Sequence, residues 1–201
     1  QNNATIMKTF VIIDNGHGID TRGKSSPDGR YREWQRTRAM ARALAAELGR
    51  RGITSTLLVP EDGDTALPVR CRRANELCRE HREAILVSLH SNASGSGTQW
   101  GMASGWSAWV APKSSVAARR LAALLTGEAA KKGMLGNRAT PPCGYWTANL
   151  AICRDTRCPA VVTENMFHDN RADVDFLLSE AGLQTIVRLH ADAICTYYDG
   201  V

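Results

Sequence analysis

Apolar residues gather along the chain in short runs, each closed by a polar or glycine-rich segment. The first is FVIIDNGHG, residues 10–18, which opens with four consecutive apolar residues, three of them β-branched. Such a run predicts a strand, Lys8–Asp14, buried on both faces of a sheet. Further runs predict strands at Ile53–Val59, Ala84–His90, Trp106–Ala111, Ala148–Cys153 and Ala160–Glu164. Between them, helical patterning predicts Glu33–Arg51 closed by Gly52, Leu67–His81, and Ser114–Lys132 capped by Ser114 or Ser115. A short helix capped by Asn170, with Asp173 three residues on, precedes a final helix over Leu183–Tyr197. Strands alternating with helices predict an α/β fold: a single domain with a mostly parallel central sheet flanked by helices on both faces. No repeat, linker or appended module interrupts the pattern. The domain is expected to span 7–201, with residues 1–6, ahead of Met7, as an N-terminal extension or processed end.

The strand ends carry the chemistry. In open parallel sheets, ligands collect at the carboxyl edge. The first strand runs into His17, held between two glycines; AILVSLH ends on His90; PAVVTE ends on Glu164. Positions 33, 37, 40, 44 and 48 share one helical face. They are Glu33, Thr37, Met40, Leu44 and Leu48, so a carboxylate heads a core-facing stripe near the same sheet edge. Each group alone has a plain reading as a loop histidine, a helix-dipole partner or a salt-bridge acid. Their convergence points to chemistry. Two imidazoles and a carboxylate match a catalytic zinc site with an open position for water. That leaves Glu164 as general base, the inventory of a metal-dependent amide hydrolase. His81, among arginine and glutamate, is assigned to a solvated face, His190 to structure and His168 to the rim of the site.

VIIDNGHG, the glutamate opening the first helix, LPVRCRRAN, ILVSLHSNA and PAVVTENMFHDN together resemble the successive signatures of the zinc-dependent N-acetylmuramoyl-L-alanine amidases, the amidase_3 family. The likeness runs from residue 10 to the last helix. It implies one zinc ion on His17, Glu33 and His90, with Glu164 catalytic. The reaction implied is hydrolysis of the amide between the lactyl group of N-acetylmuramic acid and L-alanine of peptidoglycan, in the periplasm or outside the cell. The family usually has proline where Asn15 stands and glycine where Met166 stands, departures that bear on rim shape and substrate preference. Some relatives carry an inhibitory helix over the zinc. Asn92 to Val110 is short and Gly/Ser-rich, so the site is expected to be open without an activator protein.

Composition narrows the alternatives. The chain has 201 residues, 43% hydrophobic and 22% charged, with a formal net charge of +5. No apolar run is long enough to span a bilayer, and no export signal opens the chain. The excess arginines fall on helix faces without an aromatic-interleaved groove, so peptidoglycan rather than nucleic acid is the expected partner. A zinc carboxypeptidase-like peptidase is the first rival, yet its histidine and glutamate ligands usually sit close together in sequence. A non-catalytic wall-binding module would have lost a ligand or the base. Of the six cysteines, Cys71 and Cys78 read as small buried thiols on one helix face, while Cys153 and Cys158 flank a turn across which they would pair in an oxidising compartment. Among five tryptophans, Trp100 and Trp146 stand in loop-like contexts and are the better candidates for contact with sugar.

Overall fold

The computed structural model describes residues 9–200; Lys8 at the start of the first expected strand, residues 1–6, Met7 and Val201 lie outside them. The elements are β1 (Phe10–Asn15), α1 (Glu33–Arg50), β2 (Thr54–Leu57), α2 (Leu67–Glu80), β3 (Ala84–Asn92) and β4 (Ser107–Val110). They continue with α3 (Val116–Lys131), β5 (Trp146–Thr147), α4 (Ala151–Arg154), β6 (Ala160–Phe167), α5 (Arg171–Leu178) and α6 (Glu180–Asp199). The six strands form one sheet in the order β2-β1-β3-β6-β4-β5, parallel except where β4 meets β6.

Alternation along the central strands divides the core in two. Val11, Ile13, Ile85, Val87, Leu89 and Val161 face α1, α3, α5 and α6. Phe10, Ile12, Ala84, Leu86, Ala160 and Val162 face α2 and α4. Continuing that count to the strand ends sends Asp14, Ser88, His90 and Glu164 toward the α2/α4 side. The register reinforces it, with Asp14 opposite Ser88 and His90 opposite Glu164.

The structure departs from the sequence reading in several places. Ala148–Cys153 is not a strand: the chain makes a two-residue edge strand at Trp146–Thr147 and then the helical turn α4. Consecutive Ile152 and Cys153 are both buried there, a spacing a half-exposed strand does not give. A four-residue apolar run fits a helix or a strand equally well, and tertiary packing decides. The last helix begins three residues early, because Ser179 caps it by accepting from the Gly182 N–H. All six cysteines are free thiols. Cys153 points its sulfur at the Trp109 carbonyl, 3.8 Å away, while Cys158 faces Cys78 on α2. His81 is not simply solvated; its ring stacks on Phe10 with centroids 3.6 Å apart.

Candidate metal centre and active site

The glycines flanking His17 are explained by what surrounds them. A Cβ on Gly16 would stand 2.2 Å from the His90 imidazole, and one on Gly18 would stand 2.0 Å from the Asp64 backbone nitrogen. His17 itself takes φ 64°, a left-handed conformation that costs a non-glycine residue about 1 kcal/mol or more. Its carbonyl accepts from the buried Arg38 guanidinium at 2.9 Å, and the Thr37 hydroxyl donates to the Gly16 carbonyl at 2.9 Å. Helix α1 therefore clamps the loop that presents the imidazole.

Glu33, the first residue of α1, is buried and reaches both histidines. Its Oε1 lies 3.1 Å from His90 Nδ1 and its Oε2 lies 3.4 Å from His17 Nε2. The Ser91 N–H also donates to Oε1 at 3.0 Å. Burial alone would raise the Glu33 pKa, but the two imidazoles hold the carboxyl well below the usual carboxylate range. Burial works against charge on His90 too, and Glu33 overrides it, so that pKa rises.

One ligand atom from each of His17, Glu33 and His90 lies within 4.8 Å of the others. The fit to a metal ion is good: Glu33 Oε2 is buried without a hydrogen-bond partner, and two imidazoles with one carboxylate form a donor set suited to zinc.

Glu164 opens onto the same centre from β6. Its Oε2 is buried and unpartnered. Burial pushes this carboxyl up to about 7, with Glu33 adding to the rise and His90, Lys24 and Arg138 opposing it. The next residue, Asn165, ties β6 to its neighbours: its side chain donates to the His90 carbonyl at 3.0 Å and accepts from the Trp106 indole at 2.8 Å. Just beyond, Met166 adopts φ 66° and the β3–β6 register slips. A glycine would enter that conformation without strain.

A cavity of about 330 Å³ adjoins these groups, lined by His17, His90 and Glu164 on one side and by Leu67, Leu150 and Ile152 on the other. A buried ion pair supports its floor. Arg70 of α2 bonds Asp14 at 2.6 Å and the Asn15 carbonyl at 2.8 Å, and Ser88 donates to the other Asp14 oxygen at 2.5 Å.

The structure thus brings His17, Glu33, His90 and Glu164 together. His168 is not on the rim: it is buried behind Glu33, its Nδ1 3.0 Å from Ser91 Oγ and its ring stacked on Tyr31. Both flagged tryptophans already have a cation over the ring. Arg171 stands 4.4 Å over Trp100, and Trp146 is stacked against both Arg138, at 4.6 Å, and Trp109. Sequence reasoning missed Arg38, Arg70 and Asn165. The available signal for Arg70 was its position four residues before Ala74, on the buried face of a helix whose other arginines point outward.

Comparison with known proteins agrees with this geometry. The chain is 29% identical over 191 residues to the N-acetylmuramoyl-L-alanine amidase CwlM of Bacillus licheniformis, covering 94% of this chain and 68% of that protein. It is 25% identical over 190 residues to the probable cell wall amidase LytH of Staphylococcus aureus, covering 94% of this chain and 58% of that one. An N-acetylmuramoyl-L-alanine amidase from Clostridium difficile 630 shares the fold, with TM-score 0.82 at 22% identity over 96% of this chain and 98% of that one. The Amidase_3 family description, N-acetylmuramoyl-L-alanine amidase, matches residues 11–196, and the chain therefore belongs to that family of hydrolytic enzymes.

Proposed function

We propose that this chain hydrolyses the amide between N-acetylmuramic acid and L-alanine in peptidoglycan, with one zinc ion held by His17, Glu33 and His90 and with Glu164 as general base. The observation that carries the reading is the pairing of two buried carboxyls with opposite tendencies. Glu33 is held ionised between two imidazoles, while Glu164, unpartnered and pushed up to about 7, opens on the same cavity.

A zinc ion held by His17, Glu33 and His90 would supply Lewis-acid chemistry, polarising the scissile carbonyl and lowering the pKa of a nearby water. Glu164 takes the proton from that water and delivers it to the leaving nitrogen of L-alanine, a task suited to a carboxyl that titrates near neutrality. Gly16 and Gly18 fix the approach of His17, and Asn165 ties the strand bearing Glu164 to its neighbours. Leu67, Leu150 and Ile152 give the cavity an apolar wall facing Glu164.

The domain spans 7–201 and works in the cell envelope, periplasmic or extracellular, where its polymer lies. It needs no activator. The connection from β3 to β4 carries no helix among the described residues, and Asp169 and Asp173 tie it down by accepting from Ser94, Gly95, Ser104 and Gly105.

The test is muropeptide release from purified peptidoglycan by the isolated chain and by Glu164→Ala, with zinc content measured in both. The expected result is stem peptides with a new L-alanine amino terminus from the wild type, and none from a variant that still holds zinc. If both proteins hold zinc and neither cuts, the amidase reading fails.

A further inference from the structure

The cavity at the candidate centre does not end at Leu67 and Ala151. Both residues also line a second groove, of about 800 Å³, that runs away from the centre between α2 and α4. Its sides carry Arg72 and Arg79 from α2 and Arg154 and Arg157 from α4 and the turn after it, all exposed. Arg154 is neutralised by Asp155 at 2.6 Å. Arg72, Arg79 and Arg157 have no carboxylate within ion-pair distance among the described residues, and Glu76 is the one other acid of the groove.

The groove is held in shape. Asn75 on α2 donates to the Asp155 carbonyl at 2.9 Å and accepts from the Arg157 N–H at 2.8 Å. These two hydrogen bonds pin the turn bearing Arg157 to the helix bearing Arg72 and Arg79. The backbone positions that carry these cations are therefore fixed relative to one another, with the guanidinium groups free at the surface.

We propose that this groove is the lane for the acidic stem peptide of the substrate, with its carboxylates received by Arg72, Arg157 and Arg79. The inference rests on the amidase reading. Helical rise puts Arg72 about 7.5 Å along α2 from Leu67 and Arg79 about 10 Å further. An extended peptide advances about 3.3–3.6 Å per residue. Cations at these intervals suit a peptide that leaves the scissile bond at L-alanine and bears carboxylates along its length. Guanidinium forks suit carboxylates, and an exposed row of them speeds capture of an anionic polymer. Arg72 and Arg79, which the sequence left on a solvated helix face, thereby acquire a ligand.

The test uses the triple variant Arg72→Glu/Arg79→Glu/Arg157→Glu, with zinc content and far-ultraviolet circular dichroism as checks on folding. Turnover is measured on a disaccharide-stem muropeptide with free carboxylates and on the same compound with those carboxylates amidated. The expected result is KM raised tenfold or more on the free-acid substrate with kcat within twofold, and a loss at least fivefold smaller on the amidated one. Equal losses on both substrates, or no loss, overturn the proposal. So does a variant that loses salt-sensitive DNA binding while its muropeptide KM is unmoved, since the row would then serve a polyphosphate chain. Calorimetric binding of the free acidic stem peptide reads the groove without turnover. If the wild type cleaves neither muropeptide but binds that peptide and the variant does not, the groove assignment stands and the amidase reading falls.

Discussion

The His90 imidazole lies where a side chain on Gly16 would have to go, 2.2 Å from its Cβ position. Gly16 is thus part of the mould that sets the ring. Its own N–H donates to the Leu89 carbonyl at 3.0 Å, so the backbone cannot retreat without breaking the β1–β3 junction. Gly16→Ala is expected to displace the ring and weaken zinc binding by about 10- to 100-fold, as loss of a ligand's supporting contacts does. Competitive zinc titration against a chelator checks it. Unchanged affinity in a folded variant would mean the ring moves aside at no cost.

The same relationship shows what the sequence disclosed. Strand alternation places His90 and Glu164 on one face, and the stripe from Glu33 to Leu48 places the carboxylate, because both patterns are local and periodic. Asn15 and Met166 stood out only as departures from a family pattern; the structure gives Met166 a left-handed φ. Long-range polar partners have no such pattern. Nothing local joins Asp14 to Arg70, and nothing in TENMFHDN distinguishes a buried His168 from a rim residue. The α4 turn was misread for a related reason: four apolar residues carry too little periodicity to choose between helix and strand.

Arg70 is the most connected of the missed residues. Buried itself, it binds buried Asp14, the Asn15 and Thr65 carbonyls and Asp64. Removing one partner of a buried pair leaves an uncompensated charge and costs about 3–5 kcal/mol. Arg70→Ala is expected to lose that much stability in urea unfolding. Asp14→Asn/Arg70→Met, which removes both charges, should recover most of it. A single variant within about 1 kcal/mol of wild type would show that water reaches Asp14.

Cys158 and Cys78 form the thiol pair best placed for oxidation. The Cys158 thiol donates to Cys78, whose pKa is lowered to about 7 by that bond, with Arg157 assisting. Burial of Cys153 pushes its thiol up to about 12. Thiolates attack in disulfide exchange, so Cys78 should react first. Treatment with oxidised glutathione followed by peptide mapping is expected to find a Cys78–Cys158 link. Recovery of Cys153–Cys158 instead would contradict the packing.

His190 sets an acid limit on stability. It is fully buried, with Nδ1 2.8 Å from the Ile186 carbonyl and Nε2 3.1 Å from the Thr163 hydroxyl. With Nδ1–H donating to the Ile186 carbonyl, the neutral ring leaves Nε2 as an acceptor facing the Thr163 hydroxyl. Burial lowers its pKa to about 4, against about 6.5 in the unfolded chain. Between those values the unfolded state binds the extra proton, so stability rises with pH. The contribution is complete above about pH 6.5, declines as pH falls and is lost by about pH 4, on the order of 3 kcal/mol in all. Other groups contribute alongside it: burial also lowers His168 and acts in the same direction, Glu164 is raised and opposes it in this window, and His90 is raised and opposes it above about pH 6.5. The informative quantity is therefore the stability difference between wild type and His190→Gln, measured by urea unfolding from pH 7.5 to 4. His190→Gln is expected to be less stable at pH 7.5 and to close on wild type as pH falls. A difference that stays constant across that range would mean the imidazole is not buried neutral.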